Sequence, residues 1–406
     1  MRRVVITGMG AISALGNDWT SARRTLEEGK NCVKVFPEWQ NIYGLRTRLG
    51  APITDFVTPA NYPRKQLRSM GRGSVMAVRS TEMALEQAGL LHSPLLKSGR
   101  TGVSYGSCIG SPGDVPSLAK VLTENTTVEI NASTYVKTMS HTAAVNIGVF
   151  FNLTGRVIPT ASACTSGSQG IGYAYEAIKY GLQDVMVAGG AEEFSVTQVA
   201  VFDTLFATSL CNDRPESAPR PFDKDRDGLV IGEGACSLIL EDYEHALSRG
   251  AAILGEVVGF ATNSDGTHIT DPRSDTMAGA MRQALACAGL DAEQIVYVNA
   301  HGTATAKGDI AETQATAKIL GCKPISSLKS YVGHTLGACG ALEAWLALEM
   351  LRHDWYAPTL NLRNPDPECG DLDYIMGDGR RLQGEYVMSN NFAFGGINTS
   401  LVLRRH

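Results

Sequence analysis

The segments ACTSGSQGIG (163–172) and GHTLGACGAL (333–342) each place a run of Gly, Ala, Ser, Thr and Cys directly before a helical pattern. Residues this small bury little apolar area; what they permit is the close approach of two backbones. Upstream of each lies a strand that ends in a Gly/Ser/Thr-rich turn, YGSCIGSP at 105–112 and AHGTATAKGD at 300–309. Short apolar strands such as RRVVITG, TGVSYGS and DVMVAGG, then IVYVNAH and NTSLVLR, alternate with helical patterns along the chain. The alternation predicts βα units and sheets covered on both faces. The matching texture predicts a duplicated unit joined near Arg249-Gly250, with halves 1–250 and 251–406.

With 44% hydrophobic and 19% charged residues, 406 positions suffice for a large core. Lys+Arg total 36 against 41 Asp+Glu, a net charge of −5, so there is no global positive field for nucleic acid or an anionic membrane. No apolar run approaches the roughly 20 residues a membrane helix requires. The nine cysteines are scattered without a C-x-x-C pair, which argues against a zinc site or disulfide framework and for a reducing, cytoplasmic setting. MRRVVITGMGAISALG reads as a first strand, because Gly8 and Gly10 interrupt the apolar run a signal peptide needs. GMGAIS matches only part of G-x-G-x-x-G, with Ser13 at the third glycine, and predicts a tight strand-to-helix turn rather than a dinucleotide site.

Cys164 stands at the start of a helical pattern whose apolar face is Ile171, Ala174, Tyr175, Ile178 and Leu182. At a helix N-terminus the unpaired N–H groups and the positive end of the dipole favour a thiolate and offer donors to a developing oxyanion. Gly167, Gly170 and Gly172 are expected to let this helix approach its counterpart in the other half. His301 follows an apolar strand, and Lys329 and His334 precede a helix with Ala338, Leu342, Trp345 and Leu346 on one face. Singly, such a histidine or cysteine is more often a satisfied core residue. Together, Cys, His and His on three strand-to-helix junctions suit nucleophilic acyl chemistry in the crevice at the carboxyl ends of the strands. A metal site would use the same residue types, but these lack paired ligand spacing.

The stretches VVITGMGAISALG, TASACTSG, DVMVAGGAEE, RPFDKDRDG, NAHGTATAKGD, LKSYVGHTLGA and MSNNFAFGGINTSLVL together resemble the elongating β-ketoacyl-acyl-carrier-protein synthases, condensing enzymes of the thiolase superfamily. The resemblance spans essentially the whole chain. It implies a duplicated thiolase-like α/β fold, layered α-β-α-β-α with two mixed five-stranded sheets. It further implies that Cys164 is acylated, while His301 and His334 bind the malonyl thioester oxygen and stabilise the enolate formed on decarboxylation. Lys329 matches the lysine that supports the histidines, and Glu343 a helical glutamate beside them. The N–H groups of Cys164 and Phe394 would form the oxyanion hole. Thr303 and Thr305 would contact the phosphopantetheine arm, with Ile109, Phe392 and the gating Phe394 lining the acyl site. Asn299, Glu343, Ser389 and Asn390 would surround either a monovalent cation or nothing more than a polar network. No cofactor is implied beyond the phosphopantetheine of acyl carrier protein, and the expected assembly is a homodimer or a heterodimer with a chain-length-factor-like subunit.

The residues also depart from the pattern. Ala393 replaces the first glycine of GFGG, and Ile397 stands where Thr is common. If position 393 required a positive φ, Ala there would cost on the order of 1 kcal/mol. A polyene or polyketide-like pathway therefore stands beside fatty acid elongation. A non-catalytic chain-length partner would lack the nucleophile, a thiolase would carry a second reactive cysteine near NFAFGGINTS, and a Cys/His hydrolase is the weakest alternative. Because the chain is itself acidic, an acidic carrier protein needs a concentrated basic site, and NYPRKQLRSMGR supplies one: Arg64, Lys65 and Arg68, with Arg72 a turn further along. Reversing the charges at Arg64, Lys65 and Arg68 is expected to raise KM for acyl carrier protein and weaken its salt dependence, with a small pantetheine thioester nearly unaffected. Equal losses with both substrates would show that the patch supports the fold instead.

Overall fold

The computed structural model describes residues 1–406. Its longer strands are β1 (Val4–Ser13), β2 (Thr101–Gly106), β3 (Val157–Thr160), β4 (Val185–Glu192) and β5 (Gly234–Asp242), then β6 (Gly255–Ser264), β7 (Ile295–Asn299), β8 (Pro324–Ser326), β9 (Tyr386–Ala393) and β10 (Ile397–Arg405). The first five lie in the order β3-β2-β4-β5-β1 and the second five in the order β8-β7-β9-β10-β6, so the same topology occurs twice. In each set three strands run parallel and two pair antiparallel. The two mixed five-stranded sheets are therefore present, and they are also joined: Val4–Ile6 of β1 pair with Gly255–Val257 of β6, while Asp373–Tyr374 extend the far edge, giving eleven strands in one continuous sheet.

Five helices pack on these sheets and frame the site: α1 (Arg72–Gln87), α2 (Ser166–Lys179), α3 (Ser274–Ala288), α4 (Ala306–Leu320) and α5 (Cys339–Arg352). Three cores correspond to three helical layers. Apolar residues of α1 pack with the first half's strands, those of α3 and α4 with the second half's strands, and α2 and α5 share the largest core with strands of both. The α2 helix ends at Lys179, which leaves Leu182 exposed beyond it while Ile171, Ala174, Tyr175 and Ile178 are buried.

Glycine in β1 has a different cause from the one its sequence suggests. GMGAIS forms no turn; it lies wholly within the strand, and a Cβ at Gly8 or Gly10 would lie 2.1 Å from the Ala84 or Ser80 carbonyl oxygen of α1. These residues let a helix backbone rest on the sheet. At the centre, a Cβ at Gly167 would lie 2.8 Å from Ala341 N, and one at Gly340 would lie 2.5 Å from Ser168 N, so α2 and α5 cross nearly backbone to backbone. Of the three glycines expected at this crossing only Gly167 is there: Gly170 faces the Gly189 carbonyl of β4, and Gly172 faces the Phe260 ring. Gly167→Val should therefore destabilise the fold by on the order of 3 kcal/mol through overpacking, read as a fall in Tm and denaturation midpoint. A Tm within about 2 °C of the parent would contradict this crossing.

Candidate active site

Cys164 and Leu336 occupy twin turns. After β3, Ala163 takes a left-handed φ of +52°, residues Ala163–Thr165 form a single 3₁₀ turn, and α2 begins at Ser166. In the other half Leu336 has φ +48°, Leu336–Ala338 form the matching turn, and α5 begins at Cys339. Gly337 thus stands where Cys164 stands in the first half. The strained Ala163 turn is held by Ser166, whose Oγ accepts from Ser162 N–H at 2.9 Å and donates to the Ala163 carbonyl at 2.7 Å.

His334 and His301 complete the floor of a cavity of about 440 Å³. His334 Nδ1 accepts from Leu336 N–H at 3.2 Å, which puts the ring proton on Nε2, and Nε2 lies 2.9 Å from Cys164 Sγ. The imidazole therefore donates to the sulfur. His301 packs edge-on to His334 with ring centroids 5.1 Å apart. Burial, reinforced by the Lys329 charge, pushes both histidines well below the usual imidazole range, so both are neutral at pH 7. Burial also pushes the Cys164 thiol up to about 11, although the Lys329 charge and the N–H groups of Phe394 and Cys164 itself pull the other way. The thiolate expected from the helix N-terminus is thus not the resting form, because desolvation outweighs the dipole.

Lys329 is almost wholly buried and is paired with Glu343 Oε1. Burial alone would lower its pKa; the Glu343 carboxylate outweighs that and keeps the ammonium protonated. Glu343 Oε2 accepts from Asn391 Nδ2 at 2.7 Å, and the same amide lies 3.5 Å from His301 Nδ1. The His301 loop is held by Glu312, whose two oxygens accept from the His301 and Gly302 N–H groups, both at 2.7 Å. Sequence reasoning misses Asn391 and Glu312. Their signals are a polar Ser-Asn-Asn run inside an apolar strand and an acidic pair, Asp309 and Glu312, on the buried face of α4.

The remaining candidates fall in several places. Thr303 and Thr305 line the cavity with their hydroxyls 2.9 Å apart, as do Phe392 and Phe394, the latter 5.3 Å from Phe202 between ring centroids. Ile109 is absent from the lining of this cavity; its N–H donates to the buried Glu192 carboxylate. Ala393 ends β9 paired with Ile397, and the left-handed positions are Gly395 and Gly396, so the alanine carries no backbone cost. Asn299, Ser389 and Asn390 are fully buried, with Asn299 beside Glu343. Asn299 Nδ2 donates to Ser389 Oγ at 3.2 Å, while Asn299 Oδ1 and both Asn390 amide atoms lack protein partners. Arg64, Lys65 and Arg68 are exposed and unpaired on and just after a single turn, Arg64–Leu67. Arg72 belongs elsewhere: it begins α1 and is spent on Glu233 at 2.6 Å and on the Ile53 carbonyl.

Because the thiol titrates near 11, alkylation of Cys164 by iodoacetamide should climb about tenfold per pH unit from pH 7 to 10, followed by peptide mass spectrometry. A plateau below pH 9 would contradict the balance of burial over Lys329.

Comparison with known proteins agrees with this geometry. Residues 1–246 match the family described as beta-ketoacyl synthase, N-terminal domain, and residues 254–363 match its C-terminal domain. The chain is 38% identical to 3-oxoacyl-[acyl-carrier-protein] synthase 2 of Vibrio cholerae, covering all of this chain and 99% of that one. Its fold superposes on a beta-ketoacyl synthase from Burkholderia phymatum with a TM-score of 0.99 at 57% identity over the full length of both chains. The ishigamide ketosynthase/chain length factor gives 0.91 at 30% identity, covering all of this chain and 99% of that one. With paired sheets, twin turns and a Cys/His/His floor in one cavity, the chain belongs to the β-ketoacyl synthase family.

Proposed function

We propose that this chain performs a decarboxylative Claisen condensation, joining an acyl group held on Cys164 to malonyl-acyl-carrier protein to give a β-ketoacyl-acyl-carrier protein. The observation that carries the reading is the neutral His334 Nε2–H on Cys164 Sγ, beside a second neutral imidazole in a buried cavity. In the first half-reaction the sulfur attacks the acyl thioester carbonyl, and the thiol proton leaves with the carrier's pantetheine sulfur. The N–H groups of Cys164 and Phe394, already directed at Sγ, hold the oxyanion. His334 cannot be the resting base, since its accepting nitrogen faces Leu336.

In the second half-reaction the C–C bond to the malonyl carboxylate breaks and carbon dioxide leaves. The electron pair becomes an enolate whose oxygen accepts from His301 and His334. Donors aimed at charge that exists only during decarboxylation stabilise the transition state more than the substrate. The enolate carbon then attacks the acyl-cysteine, and the C–S bond breaks on collapse. No cofactor is needed beyond the carrier's own thioester. Lys329 and Glu343 act by keeping the imidazoles neutral and placed. Thr303 and Thr305 receive the pantetheine arm, and Phe392 and Phe394 bound the acyl site.

Partners follow from the surface. Arg64, Lys65 and Arg68 form the docking patch for an acidic carrier. The outer edge of β3 and the exposed Val145, Val149 and Val157 beside it suit a dimer interface, with a second copy or a chain-length-factor-like subunit. Cys164, His301, Lys329 and His334 make this chain the reacting member in either assembly. No helix is long and apolar enough to cross a membrane, which fits the cytoplasmic setting we propose. The repeated strand order supports reading 1–250 and 251–406 as the two halves, the first bearing Cys164 and the second the histidines. The Asn299 Oδ1 acceptor, buried beside Glu343 without a protein partner, favours a monovalent cation there, with Ser389 and Asn390 on the adjoining strand, over a closed polar network.

Incubation with acyl- and malonyl-carrier proteins tests the whole reading: carbon dioxide release with a β-ketoacyl product is expected, and Cys164→Ser should abolish it. His301→Ala and His334→Ala should impair malonyl decarboxylation more than self-acylation. Free acid as the main product, an acyl adduct on another cysteine, or equal loss of both half-reactions would overturn it.

A further inference from the structure

Glu192, the last residue of β4, is fully buried and takes no part in the condensation chemistry. Four donors converge on its carboxylate. Oε2 accepts from Cys108 N–H at 2.8 Å and Gly337 N–H at 3.0 Å; Oε1 accepts from Ile109 N–H and Gln198 Nε2, both at 3.3 Å. Three separate segments are thereby tied to one side chain: the loop after β2, the helix Val196–Thr204 and the turn Leu336–Ala338. The last matters most. The neighbouring Leu336 N–H sets the His334 tautomer, so whatever fixes Gly337 also fixes which way Nε2–H points.

We propose that the Glu192 carboxylate is a positioning residue that holds the Leu336–Ala338 turn, and through it aims His334 Nε2–H at Cys164. The inference rests on the reading of Cys164 as the acylated nucleophile. Only an ionised carboxylate can accept from all four donors; a protonated one turns one oxygen into a donor and loses a partner. Burial pushes the Glu192 carboxyl up to about 7, against the pull of the Cys108, Gly337 and Ile109 N–H groups. The titratable groups facing it are the Cys108 and Cys164 thiols; the Gln198 amide and the Leu336–Ala338 turn bring no charge. Protonation just below neutrality therefore loosens the turn.

Glu192→Gln keeps shape and one accepting oxygen. Its amide can donate to Gln198 Oε1, which is buried without a partner in the parent, so the variant has a route to folding. With small pantetheine thioesters and enzyme already acylated on Cys164, so that neither carrier titration nor thiol ionisation enters the measurement, the parent's kcat for condensation should fall as pH drops from 8 to 6 with a midpoint near 7. In Glu192→Gln, kcat should be lower by on the order of ten- to a hundredfold, KM unchanged and the profile flat over that range. A parental kcat, or a lowered kcat that keeps the acid limb, would overturn the proposal. Gln198→Leu gives an independent arm: losing one donor to the carboxylate should move the acid limb to higher pH, and an unmoved limb counts against the proposal even if Glu192→Gln does not fold. Mapping the acyl adduct in the parent separates the two failures, since an adduct away from Cys164 refutes the underlying reading rather than the role of Glu192.

Discussion

Everything in this site depends on how closely α2 and α5 cross. The two helices start from opposite halves of the chain and meet where Gly167 and Gly340 leave no room for a side chain. That contact brings the turn bearing Cys164 against the turn after His334, and the 2.9 Å separation of sulfur and imidazole is its direct geometric result. The Cys339 thiol, at the first residue of α5, donates to the Cys164 carbonyl at 3.1 Å and adds a second tie between the same two turns. Large residues at the crossing would gain apolar burial and lose the site. The composition of the two segments is thus a packing requirement with a chemical purpose.

A second constraint is electrostatic. A protonated lysine in the middle of a protein is tolerable only with a partner, and Glu343 supplies it. The arrangement has a consequence for neighbours that carry no charge. The ammonium disfavours protonation of both imidazoles, so they act as donors through neutral N–H groups, and it eases the ionisation of a thiol that burial makes reluctant. Asn391 and Glu312 hold this set in register, one through the side chain of Glu343 and the other through the backbone of the His301 loop.

Legible and illegible features of the sequence divide along a physical line. The duplication, the alternation of strands and helices and the meeting of Cys164, His301, Lys329 and His334 are legible, because small residues, histidine and cysteine gather at the strand-to-helix junctions; the strand order within each half is not, since it depends on pairings between segments far apart in the chain. Glu312 and Glu192 are not legible either, because their partners are mainly backbone N–H groups, which leave no trace in composition, and those of Glu192 also lie far off in the chain. Gly8 and Gly10 suggest a turn because the same residue serves turns and close approach alike. Arg72 groups with a surface patch by spacing, and spacing alone does not show Glu233 across the fold. At Ala393 a substitution away from glycine suggests strain, whereas the left-handed turn simply begins two residues later.

The twin turns are symmetric in backbone and unequal in occupancy. A side chain at Gly337 would meet Glu192 Oε2 at 2.6 Å, Cys108 N at 2.8 Å and Ser107 Cα at 2.9 Å. The space that opens as a cavity beside Cys164 is, in the second half, already filled by the loop after β2. The loop that fills the second turn is tied through Glu192 to the turn that sets His334, so the closed turn supports the open one. Two folded halves thus leave room for one side chain of this kind, and no single substitution at Gly337 can add a second.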